Sequence, residues 1–271
     1  ALRPLRTFVA QVEKVQPNNL ADMKITEEVL PEFRQFSDSF NQMLERLDEG
    51  FTAQRQFTGN AAHELRTPLA LMQAQVELFS AEHPDVLPET ADFLRLLREQ
   101  TERMTQMTRT LLEMCGLQAV PCTDHIELGP MIDEIFADLA PLAEKNNITL
   151  EREGDGAMTG SDTLIYRLLF NLTENAIKYN RPGGAVRLSV TPEPEKLLIR
   201  VSDTGPGIPE RFQRSVFQPF FRVDKSRSRE YGGVGLGLSL VWEIVKLHGG
   251  TVCVENSSEA GTTVAVSLPL R

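Results

Sequence analysis

The chain has 271 residues and a net charge of −10, enough length for about two or three domains and without the basic surface that sequence-independent binding to nucleic acid requires. Its three cysteines, Cys115, Cys122 and Cys253, form no C-x-x-C pair, which argues against a disulfide framework or a zinc site and fits a reducing compartment. No apolar run long enough to cross a bilayer and no signal peptide is present, and the start at Ala1-Leu2-Arg3-Pro4 reads as an internal cut.

From Leu5 to Val15 the pattern predicts a short amphipathic helix, broken by Pro17-Asn18-Asn19. Phe33, Phe36, Phe40, Met43, Leu47 and Phe51 then step by three and four, close to a coiled-coil seam, although an ordinary helical hairpin has the same period. Phe57, Ala61, Leu65, Leu69, Met72, Val76 and Phe79 carry the stripe on to a helix end near Ser80. His63 falls off that stripe, about 200° from both Ala61 and Leu65. Its imidazole should therefore stand on the outer face, with Thr67 a turn further on and Pro68 bending the helix just beyond.

Glu82-His83-Pro84-Asp85 with Pro88 reads as a loop. Phe93, Leu97, Met104, Met107 and Leu111 form a second stripe, read as core. Two helices with one apolar stripe each cannot bury it alone, so pairing with a second copy into a four-helix bundle, a homodimer, is the economical arrangement. Gly116 to His125, containing Pro121, reads as a hinge.

Beyond it the pattern predicts a helix (Met131 to Lys145), a strand (Ile148 to Glu151), a helix (Thr163 to Tyr179) and two strands (Val186 to Val190, Leu197 to Val201). After a glycine-rich region come a helix (Leu238 to Leu247) and two strands (Thr251 to Glu255, Thr263 to Leu268). This order predicts an α+β fold, a helical hairpin followed by an α/β layer sandwich.

Several short runs carry chemistry. Asn171 and Asn175 lie on nearly one helical face with Lys178 within two turns, and an amide oxygen is a hard ligand suited to Mg²⁺. Asp203-Thr204-Gly205-Pro206-Gly207 follows an apolar strand. Its carboxylate, acceptor-only when ionised, suits the exocyclic amine of adenine, and its glycines allow close approach of the backbone. Gly233-Val234-Gly235-Leu236-Gly237 opens a helix whose first amides can bind phosphate. It follows a loop rather than a strand, so the dinucleotide-binding fingerprint fails. Between these runs, Val223 to Gly232 holds Asp224, Lys225, Arg227, Arg229 and Glu230 among small residues, a lid with a basic bias or simply a solvated loop.

The run His63-Glu64-Leu65-Arg66-Thr67-Pro68-Leu69 resembles the H-box of sensor histidine kinases. Asn171 to Tyr179 resembles their N-box, Asp203 to Ile208 the G1 box, Phe217 to Arg222 the F-box and Gly233 to Leu238 the G2 box. Gly261-Thr262 is similar to the last glycine motif, with Glu259 where glycine is common. Pro4, Pro31-Glu32 and Phe40 to Met43 resemble a HAMP module, with Arg34 where that family often has glycine. The resemblance implies residues 1–50 as a HAMP-like linker, 51–116 as a dimerisation and phosphotransfer domain, and 126–271 as a GHKL-type ATP-binding domain.

By that resemblance ATP and Mg²⁺ are bound. Asn171 holds the metal, Asn175 supports the phosphates and Lys178 contacts them. Tyr179 lies against adenine and Asp203 reads it, aided by Gly205 and Gly207. Arg222 and Lys225 neutralise charge, and Gly233, Gly235, Leu236 and Gly237 border the phosphates. The γ-phosphoryl passes to His63, with Glu64 as base, and then to an aspartate on the receiver domain of a response regulator. Thr67 resembles the residue that positions water for dephosphorylating that regulator. The same resemblance implies the cytoplasmic portion of a bacterial plasma-membrane protein, anchored through a preceding segment. His83, His125 and His248 are weaker candidates, the first two in loops and His248 at a helix end that favours a cation. Two further readings are a non-catalytic or phosphatase-only scaffold, which the intact boxes count against, and an ATPase of the Hsp90 or MutL kind. The latter needs a glutamate upstream of the first Asn, where Arg167 stands.

Overall fold

The computed structural model describes residues 34–117, 120–223 and 235–270. It divides into two compact units, Ala1–Leu65 and Arg66–Arg271. Their boundary falls inside the first described helix, α1 (Arg34–Glu82), which continues through Pro68. The predicted helix from Leu5 to Val15 lies outside the described residues, as does most of the HAMP-like linker.

In the first unit the buried positions of α1 are Ser37, Phe40, Leu44 and Ala62, while Phe36, Met43 and Leu47 are exposed. The anticipated seam is therefore not the face buried within the chain. It shares Phe40 with the buried arc, but the arc runs from Ser37 through Phe40 to Leu44, positions that coincide on a helix of 3.6 residues per turn. Phe57, counted in the stripe, is 76% exposed.

In the second unit α1 ends at Glu82, and Pro88 belongs not to the loop but to the start of α2 (Pro88–Gly116). The first helical position needs no amide donor, so proline is favoured there. The buried residues of α2 are Thr101, Thr108 and Thr110. Their hydroxyls donate to the carbonyls of Leu97, Thr105 and Gln106, which satisfies the polar atoms locally. Phe93, Leu97 and Met104, expected in the core, are exposed, because an isolated stripe has no second layer to lie against.

The α/β layer then follows as β1 (Asp124–Glu127), α3 (Leu128–Asn146), β2 (Thr149–Gly154), β3 (Ala157–Gly160), α4 (Asp162–Lys178), β4 (Ala185–Pro192), β5 (Lys196–Asp203), α5 (Gly237–Leu247), β6 (Thr251–Ser258) and β7 (Gly261–Pro269). Two strands, β1 and β3, were not anticipated, and they pair antiparallel. Asp124 and His125 accordingly lie on β1 and not in a hinge or loop. The main sheet has the order β2-β4-β5-β7-β6, parallel only between β2 and β4, with a register shift between Val254 and Asn256 on β6.

One face of this sheet is apolar. Val186, Leu188 and Val190 of β4 alternate inward beside Leu197, Ile199 and Val201 of β5, the two-residue period of a half-buried strand. They pack with Ile132, Ile135, Ile165, Leu168, Leu172 and Ile244 from the three helices. The other face is charged, with Arg187 bonded to Glu151 and Arg200 to Glu255. The helices are held at their ends. Asp155 accepts the N–H of Gly129 at the start of α3, and Asp124 accepts that of Asp162 at the start of α4, each carboxylate satisfying an otherwise unpaired donor. The C-terminus of α3 closes with Asn147 in the left-handed conformation.

Candidate functional site

A cleft of about 1710 Å³ opens between α4, the end of β5 and the start of α5. Its volume is above the usual range of small-molecule pockets, which leaves room for a ligand of nucleotide size. Asn171, Asn175, Lys178, Tyr179, Asp203, Gly207, Arg222, Gly235, Leu236 and Gly237 all line it. Gly205 supports it from behind by donating its N–H to Asp203 Oδ1 at 2.8 Å. Lys225 and Gly233 lie outside the described residues, as does the expected lid from 224 to 232.

The helix α4 buries Leu168, Leu169, Leu172 and Ala176 against the sheet and thereby turns Asn171 and Asn175 toward the cleft. The Nδ2 of Asn171 donates to the Arg167 carbonyl at 2.7 Å, so its Oδ1 is the atom that points away from that bond. A Cβ at Gly237 would come within 3.0 Å of this oxygen; glycine there keeps the amide oxygen accessible. A hard oxygen ligand so directed fits Mg²⁺, which takes few protein ligands and shares the rest with phosphate and water. Lys178 is paired with Glu174 at 2.8 Å at the same wall.

At the opposite end, Asp203 Oδ1 accepts the N–H groups of Gly205 and Thr262, the latter at 3.2 Å. Oδ2 is left to meet a ligand. Burial pushes this carboxyl above its ordinary value, and the two backbone donors pull the other way. Gly207 has φ 80°, and a Cβ there would lie 2.0 Å from the Ser258 carbonyl. Only glycine permits this approach of the turn to the β6–β7 hairpin. Ser257 accepts the N–H of Ile208 and bonds the Thr262 hydroxyl, so the hairpin braces the whole turn.

Thr262 is therefore a site residue whose part the sequence left open; its signal was the Gly261-Thr262 pair. Arg181, which donates to the Glu259 carbonyl, carried no motif signal. Neither did Tyr166, which donates to Asp138. Burial first, and then that hydrogen bond, push its phenol up to about 12. The expectation of a cationic His248 is corrected: the ring is buried, Nδ1 bonds the Ile244 carbonyl and Nε2 accepts the N–H of Ser161 at 3.1 Å. An Nε2 that accepts carries no proton, so the ring is a neutral strut between α5 and the start of α4.

His63 and Glu64 are exposed on α1 in the first unit, and Thr67 is exposed in the second. None of the three is among the residues lining the cleft. His83 Nδ1 bonds the Phe79 carbonyl at 3.2 Å and the ring stacks on Phe79, while His125 is exposed on β1. Among the described residues no cluster of three or more His, Cys, Asp or Glu could hold a metal. No described helix is long and apolar enough to cross a membrane.

Residues 160–271 match the family model of histidine kinase-, DNA gyrase B- and HSP90-like ATPases. Residues 53–115 match that of the His Kinase A phospho-acceptor domain. Among curated proteins, the chain is 32% identical over 274 residues to the sensor histidine kinase CusS of Escherichia coli O157:H7, covering 99% of this chain and 56% of CusS. It is 30% identical to the sensor protein IrlS of Burkholderia pseudomallei, covering 99% of this chain and 58% of IrlS. The chain thus spans little more than half the length of these relatives. Two solved structures share the fold. Full-length ShkA with AMPPNP has a TM-score of 0.62 at 20% identity, over 79% of this chain and 45% of ShkA. The histidine kinase ThkA, in complex with response regulator protein TrrA, has a TM-score of 0.58 at 22% identity, over 90% of this chain and 68% of that chain.

Proposed function

Because this chain belongs to the sensor histidine kinase family, we propose that it transfers the γ-phosphoryl group of ATP to His63 and then to an aspartate of a response regulator. The observation that carries this reading is the convergence on one cleft of Asn171, Asp203 and Gly237, three elements remote in sequence and each suited to a different part of the nucleotide.

Adenine lies at the Asp203 end, where the free carboxylate oxygen accepts from the exocyclic amine. Backbone amides at the start of α5 and the Arg222 guanidinium face the phosphates. Mg²⁺, held by Asn171, would neutralise charge on the β- and γ-phosphates. His63 is the acceptor. Attack requires a neutral imidazole with one nitrogen free, and Glu64 receives the proton lost from the ring. Thr67 orients water against the regulator's phosphoaspartate in the reverse reaction. That ThkA was solved with a response regulator supports a receiver domain as the partner. The open stripes on α1 and α2 support a homodimer built through a four-helix bundle. Residues 1–50 serve as a HAMP-like linker to a membrane segment, 51–116 as the dimerisation and phosphotransfer domain, and 126–271 as the catalytic domain.

Incubation with γ-labelled ATP and Mg²⁺ tests the central step. The wild type should acquire an acid-labile, base-stable label, and His63→Gln should acquire none while still binding nucleotide. Label that survives acid, or that persists in the variant, would sink the reading.

A further inference from the structure

Arg167 precedes Asn171 by one turn of α4, and its guanidinium is paired with the Glu113 carboxylate near the end of α2. Glu113 also lies 3.4 Å from the Nε of Arg109. All three side chains line the cleft, so the single Glu113 carboxylate is shared by two guanidinium groups. The same residue serves Asn171 through its backbone, since the Arg167 carbonyl fixes the Asn171 amide.

The pair is only partly shielded, with 35% of the Arg167 side chain and 22% of that of Glu113 exposed. Ion pairs so placed contribute little net stability, so a group of higher charge can take the guanidinium over. A terminal phosphoryl is such a group, and the planar fork of arginine matches its oxygens in a bidentate fashion. The exchange leaves no bare charge behind, because Glu113 keeps Arg109.

Resting on the reading of the cleft as an ATP site with its phosphates at the Asn171 end, we propose that Arg167 discriminates the triphosphate from the diphosphate. With ADP or no nucleotide, Arg167 stays on Glu113 and ties α4 to α2. A γ-phosphoryl draws the guanidinium away from Glu113 and loosens that tie. The contact between the hairpin helix and the nucleotide-binding helix therefore depends on the number of phosphates bound.

The test measures affinities of the 271-residue chain for ADP and for the non-hydrolysable triphosphate AMPPNP, both with Mg²⁺, in the wild type, Arg167→Gln and Glu113→Gln. In Arg167→Gln the affinity for AMPPNP should fall about tenfold, the loss of one charge-assisted contact, with ADP binding unchanged. In Glu113→Gln, whose Arg167 is no longer held back, AMPPNP should bind severalfold more tightly and ADP as before. Amide exchange across Thr110 to Gly116 supplies a second readout: AMPPNP should speed it relative to ADP in the wild type and not in Arg167→Gln. An unchanged AMPPNP-to-ADP ratio in either variant, or equal losses for both nucleotides, overturns the role of Arg167 while leaving the ATP site intact. Failure of the wild type to bind either nucleotide instead overturns the ATP-site reading itself.

Discussion

Asn171 donates through Nδ2 to the backbone carbonyl of Arg167, 2.7 Å away, and so presents its Oδ1 on the side of Gly237. The orientation of this amide is set by the helix that carries it, and the oxygen is available before any ligand arrives. Replacing Asn171 with Ala should weaken nucleotide binding in the presence of Mg²⁺ by about tenfold or more, the scale of a lost ligand or charge-assisted contact. In EDTA the variant and the wild type should bind alike. A fluorescent-nucleotide titration under both conditions decides it; a loss of the same size without metal would assign Asn171 to the phosphates alone.

Asp203 gives a prediction of opposite sign for binding and for stability. An acid whose value is raised in the fold favours the folded state when protonated. That stabilisation is complete below the unfolded value of 3.8 and is lost as the pH rises through the raised folded value. Wherever this carboxyl ionises, the wild type bears the cost of a buried charge, a cost that the neutral amide of Asn does not carry. Asp203→Asn should melt no lower than the wild type at pH 7, with its advantage shrinking as the pH falls toward 4, while adenine-nucleotide binding drops by about tenfold or more. Thermal melts along a pH series check the first half and calorimetric titration the second.

Gly207→Ala should be damaging in a different way. The added Cβ meets the Ser258 carbonyl at 2.0 Å, at a φ of 80°, so both the backbone preference and the packing oppose it. A loss of at least about 2 kcal/mol is expected, seen as a lower denaturation midpoint, together with weakened nucleotide binding because the turn is displaced from Asp203. A wild-type midpoint would mean that the hairpin yields easily and does not brace the site.

In the proposed mechanism Thr67 separates two activities. It follows His63 by four residues and is exposed, and the proposed attack by His63 on ATP makes no use of its hydroxyl. Thr67→Ala should keep autophosphorylation near normal and reduce dephosphorylation of the phosphorylated regulator by about 10²-fold, the usual loss for a preorganised polar group. If both activities fall together, Thr67 supports the helix at Pro68 instead.

The helices and the central strands were legible because their signals are local. In α4 one apolar period and an Asn pair four residues apart coincide, so a single pattern announced the element and the face it offers. The strands β1 and β3 were missed because each has four residues and β3 is bounded by Gly156 and Gly160, which read as turn material. What could not be read locally was partnership across the chain. Nothing near His248 points to Ser161, 87 residues away, and nothing near Thr262 points to Asp203. The helix-end position of His248 suggested a charge, and the distant amide decides for a neutral acceptor. The apolar stripes were legible as stripes, but Phe57 and Phe93 lie open, because a period reveals a face and not what covers it.

The order of the main sheet leaves β2 and β6 as its outer strands, and both are poor templates for another chain. β2 carries Glu151, Arg152 and Glu153 in succession, charges that a docking strand would have to bury or oppose. On β6 the shift between Val254 and Asn256 breaks the even ladder of donors and acceptors that an added strand needs. Edges of this kind discourage edge-to-edge aggregation. Strand addition at either edge of the sheet would thus have to overcome buried charge on one side and a broken ladder on the other.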